Sequence, residues 1–170
     1  MPMFPLEDVQ QFLVLHSSYA WAVVFAFAFM ESLVVVGSIV SAAILFSICV
    51  YLYHAQLLSM YVIVPSAVCG AHLGDVLSFV VGTKMGPRLL QRSFFQRHAK
   101  KVEKGRTFIA RFGSYAVILG RFTPGLRPII PFLLGVSNWD GKRFYGASVM
   151  AVLAWGMGLI VLTIGVEQLL

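Results

Sequence analysis

The run from Tyr19 to Tyr53 restricts the fold more than any other feature. It covers thirty-five residues and holds a single charge, Glu31. As one helix it would be about 52 Å long, whereas the hydrocarbon core of a bilayer is about 30 Å thick. The run is too long for one crossing and too short for two crossings with a loop. It therefore predicts a broken or re-entrant hairpin over 19–53, with the break near Gly37–Ser41.

The composition of the whole chain agrees with a membrane setting. Of its 170 residues, 59% are hydrophobic and only 12% are charged, whereas about 25% are charged in a typical soluble domain. The length leaves room for one domain. We therefore expect a single all-α integral membrane domain, because helices satisfy their own backbone hydrogen bonds in lipid.

The remaining segments complete a recognisable order. We expect an interfacial helix over 2–18, a transmembrane helix over 57–83, a basic amphipathic segment over 84–112, a second broken hairpin over 107–135 and a transmembrane helix over 144–166. A broken segment followed by a span, twice over, is the order of inverted-repeat transporters, whose broken segments meet near the midplane. The fold class predicted is two opposed re-entrant hairpins plus transmembrane helices.

Basic residues concentrate in one part of the chain. Nine of the thirteen lysines and arginines lie between Lys84 and Arg111, which places this segment in the cytoplasm. A basic amphipathic helix on anionic lipid headgroups and a solvated loop both fit the pattern. Nucleic-acid binding does not fit, because the basic residues flank membrane segments and no recognition motif is present.

The stretch from Gly120 to Gly135 combines charge with helix breakers inside an apolar run. It contains two arginines, Arg121 and Arg127, and its breakers are Pro124, Gly125, Pro128 and Pro131. An arginine at the bilayer centre costs about 2.5–3.5 kcal/mol, and a proline inside a helix costs about 3 kcal/mol. A turn at the breakers brings both guanidinium groups to one site. We therefore expect the functional centre here.

Four charges lie within the apolar segments, and they sum to zero: Glu31, Asp75, Arg121 and Arg127. This balance favours a shared polar cavity. Paired arginines suit phosphate, because each guanidinium binds two oxygens at once and keeps its proton. Burial and the arginine charges act on the carboxylates in opposite directions, which makes Glu31 or Asp75 a candidate proton carrier. A neutral ion-pair network that only fixes helix register is the alternative.

Motifs for catalysis or metal binding do not accompany these charges. The four histidines are scattered, and the chain has no HExxH, GxSxG or glycine-rich phosphate loop. The two cysteines lack a CxxC or zinc spacing. We expect no enzymatic activity, no metal and no cofactor. Glycines at four-residue spacing, Gly70, Gly74, Gly82 and Gly86, predict close helix packing.

Three stretches together resemble the DedA family of VTT-domain membrane proteins. They are FMESLVVVGSIV, GAHLGDVLSFVVGTKMG and GRFTPGLRPIIPFLLG, the last followed by Phe144 and Trp155. The resemblance implies two opposed re-entrant hairpins and movement of lipids between leaflets. For bacterial members it implies undecaprenyl phosphate as the substrate, with dependence on the proton motive force, in the inner membrane. It also implies that Glu31, Arg121 and Arg127 are important and that Asp75 occupies a common position.

The chain departs from the family pattern at the first hairpin. Some members carry an acid there for proton coupling, whereas this chain has Ser41, Ala42 and Ala43. Coupling would then fall to Glu31 and Asp75. The functions left open are a lipid flippase, an ion or proton antiporter and a membrane scaffold, and a homo-oligomer stays open too.

Overall fold

A computed structural model describes residues 19–38, 42–123 and 126–167, and all of its regular structure is helical. Three expected features lie outside these ranges. They are the interfacial helix over 2–18, residues 39–41 of the first break, and Pro124 with Gly125 in the second.

Eight α-helices occur within the described residues. They are α1 (Ala20–Ser32), α2 (Ala42–His54), α3 (Met60–Leu90), α4 (Ser93–Arg97), α5 (Ala99–Phe112), α6 (Ala116–Arg121), α7 (Ile129–Val136) and α8 (Gly141–Glu167). A short 3₁₀ turn, Val36–Ser38, follows α1, and another, Gly113–Tyr115, joins α5 to α6.

Two helices are long and apolar enough to cross a membrane. The qualifying part of α3 is Met60–Gly86, and that of α8 is Gly141–Val166. Both exceed the ~20 residues that a crossing needs. They run antiparallel: the Phe144 ring near the start of α8 stacks on Phe79 of α3 at 4.2 Å, and Gly156 further along α8 lies against Val68.

One side of α8 presents apolar side chains to the outside. Met150, Leu153, Met157 and Val161 are all exposed, and they recur at intervals of three and four residues. This spacing places them on one face of the helix. An uncharged exposed face on a helix of this length suits contact with lipid.

The other helices beside the core are too short to cross. Both α1 and α2 have 13 residues, which corresponds to about 20 Å each. The second broken region is shorter still, since α6 has six residues and α7 has eight. Each is shorter than the ~30 Å thickness of a bilayer core.

Glycines of α3 are the contact points for α1, as their spacing predicts. The backbone of Phe25 lies directly on Gly70, and the backbone of Phe29 lies on Gly74. A Cβ at either glycine would collide with that backbone, so larger residues would push the helices apart. Because both contacts advance by four residues, α1 runs parallel to α3.

Further along α3, two more glycines are the contact points for α7. Gly82 lies against the backbone of Phe132, and Gly86 lies against the side chain of Val136. The contact is reciprocal, because Gly135 of α7 fits against the backbone of Phe79 and Thr83. Thus α7 also runs parallel to α3 and follows α1 along it.

The apolar core forms two clusters, and the buried charges lie between them. One cluster joins α1, α2 and the first half of α3, with Val24, Leu45 and Ile63 at its centre. The other joins α5, α6 and α7 to the second half of α3, with Ile130 and Phe132 among its members.

Candidate functional site

The four charges predicted from the sequence meet as two buried ion pairs. Arg121 Nη1 donates to Asp75 Oδ2. Arg127 Nη1 donates to Glu31 Oε1. The side chains of the first pair are 2% and 1% exposed, and those of the second pair are 9% and 4% exposed. Burial of this degree leaves a charge stable only beside its partner.

Helix ends bring these side chains together. Glu31 is the last residue but one of α1, and Arg121 is the last residue of α6. Arg127 precedes α7, whereas Asp75 lies in the middle of α3. The short helices therefore end beside the middle of a spanning helix, and they deliver their charges there.

Both guanidinium groups also lie over one aromatic ring. The Cζ atom of Arg127 is 4.7 Å from the ring centroid of Trp155, and that of Arg121 is 5.5 Å away. A cation within about 6 Å of an indole face is attracted by the ring, most strongly when water is excluded. Trp155 of α8 thus holds the two arginines side by side.

Each ion pair uses only part of its hydrogen-bonding capacity. The Nε and Nη2 atoms of Arg121 and Arg127 are buried and have no hydrogen-bond partner among the described residues. The same holds for Glu31 Oε2 and Asp75 Oδ1. Four guanidinium nitrogens with free N–H groups are thus concentrated in a region enclosed by protein. Such groups bind anions strongly, because an unpaired buried donor is costly.

The Asp75 pair extends into a longer polar chain. Ser148 Oγ of α8 donates to Asp75 Oδ2 at 3.3 Å. His72 Nδ1, one turn before Asp75, lies 3.0 Å from the same Ser148 Oγ. His72 is half-buried, and its ring also contacts Tyr145 edge-on with centroids 6.4 Å apart. The Asp75 carboxylate therefore joins α3, α6 and α8.

A serine of α3 fixes the end of α1 beside these charges. Ser78 Oγ donates to the carbonyl oxygen of Ser32 at 3.1 Å and accepts from the backbone N–H of Val34 at 3.1 Å. The last residues of a helix leave carbonyls without partners. Ser78 satisfies one of them and so positions Glu31.

The two breaks touch one another. A Cβ at Gly37 in the first break would collide with the backbone of Glu31 and would lie 3.1 Å from Pro128 Cβ in the second break, which is a tight contact. Only a residue without Cβ allows this approach. The first and second broken regions therefore share one contact zone at the level of the ion pairs.

The predicted breakers have distinct positions in the second region. Pro128 directly precedes α7 and therefore belongs to the turn. Pro131, which the sequence assigns to the turn, is instead the third residue of α7, where a missing N–H costs no helical bond. Gly120 lies within α6 against Ile130, and Gly74 and Gly135 make the helix contacts already described.

Sequence reasoning missed several residues of this site. Ser148, Ser78 and His72 have no motif, and His72 counts there only as one of four scattered histidines. Their part in the site can be recognised only from the packing of α3 against α8, because a single serine or histidine carries no sequence motif. Among the described residues, no cluster of three or more histidine, cysteine, aspartate or glutamate side chains could hold a metal ion.

A family model matches most of the chain. The model of the VTT domain covers residues 43–165. The chain belongs to the VTT-domain (DedA) family. This assignment includes Asp75, both arginines and Trp155, whereas Glu31 lies before the matched range.

Relatives of this family are membrane proteins of several bacteria. The inner membrane protein YohD of Escherichia coli is 35% identical over 112 residues, which are 66% of this chain and 56% of YohD. A membrane protein of Mycobacterium tuberculosis is 30% identical over 132 residues, 76% of this chain and 53% of the relative. The membrane protein YbfM of Bacillus subtilis is 25% identical over 155 residues, 88% of this chain and 90% of YbfM.

The comparisons also give the extent of the match and the location of the relatives. The chain spans about half the length of the mycobacterial relatives that it matches. No solved structure matches it. With two helices able to cross a membrane and relatives in the inner membrane, this VTT-domain protein is an integral protein of the bacterial inner membrane.

Proposed function

We propose that this protein moves a phosphate-bearing lipid, undecaprenyl phosphate or a related phospholipid, between the leaflets of the inner membrane. Arg121 and Arg127 would hold the phosphate. Glu31 and Asp75 would balance their charge when no phosphate is present. The protein would act as a transporter and not as an enzyme, since binding and release suffice for this task.

One observation carries the proposal: two adjacent buried arginines retain four nitrogens whose N–H groups have no partner among the described residues. A phosphate offers several acceptor oxygens, and arginine binds two of them in parallel. The Trp155 ring contacts both guanidinium groups, with the two Cζ atoms 5.5 and 4.7 Å from its centroid. An ion-pair network built only for stability would use these donors within the protein.

Charge balance suggests how protons would take part. The four side chains are neutral as a set, so an entering phosphate adds uncompensated negative charge at membrane depth, which is costly. Protonation of one carboxylate cancels one negative charge and releases its arginine for the lipid. A phosphodiester would then require one proton. A phosphomonoester would require one or two, depending on its own ionisation.

The arrangement of the short helices supports alternating access. The sequence predicts two re-entrant hairpins of opposite orientation, and two contacts agree with this idea. First, α1 and α7 contact successive segments of α3, at Gly70 and Gly74 and then at Gly82 and Gly86. Second, the breaks meet at Gly37 and Pro128. In inverted-repeat transporters, the two sides open in turn around a site placed at such a junction.

The test is lipid translocation by protein reconstituted in proteoliposomes. Arg121→Lys and Arg127→Lys keep the positive charge but lose the planar fork that binds two oxygens. We expect each to reduce transport of labelled undecaprenyl phosphate by about tenfold or more, which corresponds to at least about 1.4 kcal/mol. Full transport by both variants would refute the phosphate role.

A proton or ion antiporter is the second candidate, and the Asp75–Ser148–His72 chain favours it. Such a chain of ionisable and hydroxyl groups can carry protons without a lipid. An antiporter would produce proton flux in liposomes that lack undecaprenyl phosphate, reported by a pH-sensitive dye. A flippase would produce flux only when the lipid is added.

A further inference from the structure

A groove of about 670 Å³ borders the basic helix α5 and reaches the link between α6 and α7. Its aromatic part consists of Phe108 and Phe112, whose ring centroids are 4.6 Å apart. Leu126, which is buried, also lines it. Leu126 is the residue directly before Arg127, so the groove leads from the surface of α5 to the edge of the ion-pair site.

Charged residues surround the apolar part of this groove. Three are cations and one is an acid: Lys100, Lys104, Arg111 and Glu103. Their sum, three minus one, is a net charge of +2. All four are exposed. The Arg111 guanidinium lies 5.3 Å from the Phe112 ring centroid, so one cation is held directly above the apolar surface.

The groove lies along α5 between its exposed cations and its buried face, where Phe108 and Phe112 are half-buried and pack against the core with part of their surface left open. The buried face contains Val102, Gly105 and Ile109, and Gly105 lies against Leu133 of α7. Lys100, Lys104 and Arg111 are four and seven residues apart, which places them along one side of the helix. The helix therefore presents an apolar strip edged by positive charge.

We infer that this groove binds an anionic phospholipid of the cytoplasmic leaflet. The phosphate would lie between Lys104 and Arg111, and an acyl chain would lie on Phe108, Phe112 and Leu126. The positive charge of the groove favours an anionic lipid. A zwitterionic headgroup has no net charge and gains little binding free energy from a groove of net charge +2, whereas an anionic headgroup is attracted by every cation near the surface. A free phosphate would leave the apolar strip uncovered, whereas the acyl chain of a lipid would cover it. We therefore expect a free phosphate to bind less well than a lipid.

Position gives the groove a role in the proposed transport. A lipid there would have its chain in contact with the residue beside Arg127, so the groove would be a waiting site on the cytoplasmic side. This second step depends on the proposed function, whereas lipid binding by the groove does not.

Binding can be measured by native mass spectrometry of the full chain, titrated with phosphatidylglycerol. The double variant Lys104→Gln with Arg111→Gln removes two groove cations. The control, Lys84→Gln with Arg88→Gln, removes two exposed cations at the end of α3, outside the groove. We expect the groove variant to bind phosphatidylglycerol about tenfold more weakly or worse, and the control to bind like the wild type.

Two control ligands and two contrary outcomes complete the test. Phosphatidylcholine with the same acyl chains should bind weakly, and glycerol phosphate, which lacks chains, should bind weakly too. Equal losses in both double variants would show diffuse attraction and would overturn the site. Equal binding of both phospholipids would also overturn it.

The same titration separates this site from the ion-pair site. Arg127→Lys should keep phosphatidylglycerol binding in the groove while it loses transport. If Arg127→Lys transports normally and still binds phosphatidylglycerol in the groove, the proposed function is refuted, whereas lipid binding by the groove is supported. If the groove variant binds phosphatidylglycerol like the wild type, the lipid site in the groove is refuted, whatever the transport assay shows.

Discussion

The two ion pairs differ in what they connect. Arg121 and Asp75 join α6 to the middle of the spanning helix α3, and Ser148 adds α8 to the group. Arg127 and Glu31 join the two broken regions to each other, and among the described residues no neutral side chain donates to that carboxylate. The first pair is also the more buried, at 2% and 1% exposure against 9% and 4%.

This difference suggests a division of roles between the pairs. A pair whose acid lies in the middle of α3 and is hydrogen-bonded to α8 holds the fold, because that acid cannot move without disturbing α3 or α8. A pair between two helix ends can open when those ends move. We expect the Asp75 carboxylate to act mainly in stability, with Arg121 kept in place for the phosphate, and the Glu31 carboxylate to be the one that a substrate displaces.

The largest effect is expected from Asp75→Ala. It leaves the Arg121 charge buried without its partner, which typically costs about 3–5 kcal/mol of stability. Unfolding in detergent, followed by circular dichroism, measures this loss. Glu31→Ala should cost less, because Arg127 is nearer the surface. The double variant of Asp75→Ala and Arg121→Ala should regain part of the lost stability. Similar losses of stability in Glu31→Ala and Asp75→Ala would contradict the proposed difference between the two pairs.

Glu31→Gln tests the functional side of the comparison. The amide keeps the shape but can neither carry a proton nor balance the Arg127 charge. We expect lipid transport to fall by about tenfold or more, equal to about 1.4 kcal/mol, while the protein stays folded. Transport assays alongside the same unfolding measurement check both parts. A Glu31→Gln protein that loses as much stability as Asp75→Ala but transports normally would reverse the roles assigned to the two pairs.

Trp155→Leu should affect both pairs, but unequally. Loss of the ring removes an attraction worth about 1–2 kcal/mol at a site from which water is excluded. Trp155→Phe should retain part of it. Double-mutant cycles on stability should show stronger coupling of Trp155 to Arg127 than to Arg121, because the distances are 4.7 and 5.5 Å. The opposite order would mean that the ring mainly supports the Asp75 pair.

The smallest effect is expected from Ser148→Ala, which removes one hydrogen bond to Asp75. Its cost should be about 1 kcal/mol, measured again by unfolding. Because Ser148 belongs to one pair only, its effect should add to that of Glu31→Gln and should not add to that of Asp75→Ala. Coupling between Ser148 and Glu31 would show that the two pairs act as one network.

Much of the fold follows from local patterns. The four-residue glycine spacing on α3 predicts close contacts, and α1 and α7 make them. The family resemblance is confirmed by the VTT-domain match. The excess length of the run 19–53 predicts a break, and α1 ends at Ser32 within it. The opposed orientation of the hairpins and the roles of the charged residues stay predictions.

The partners of each charge could not be predicted from the chain. Glu31 and Arg127 are 96 positions apart, and Asp75 and Arg121 are 46 apart. Either acid could have met either arginine on composition alone. Which pairs form depends on where α1 and α6 end relative to α3, and this in turn depends on packing. Ser148 and Trp155 enter the site for the same reason, since only the approach of α8 to α3 brings them in.

The order of α1 and α7 along α3 has an electrostatic consequence. Both helices point in the same direction, so the carboxyl end of α1 faces the amino end of α7, and their peptide dipoles are aligned head to tail. Glu31 and Arg127 each sit at the unfavourable end of their own helix, yet each faces the favourable end of the other. Their pairing offsets the local penalty. Separation of the pair would leave each charge at the unfavourable end of its own helix, so the helix dipoles as well as the ion pair hold the two broken regions together.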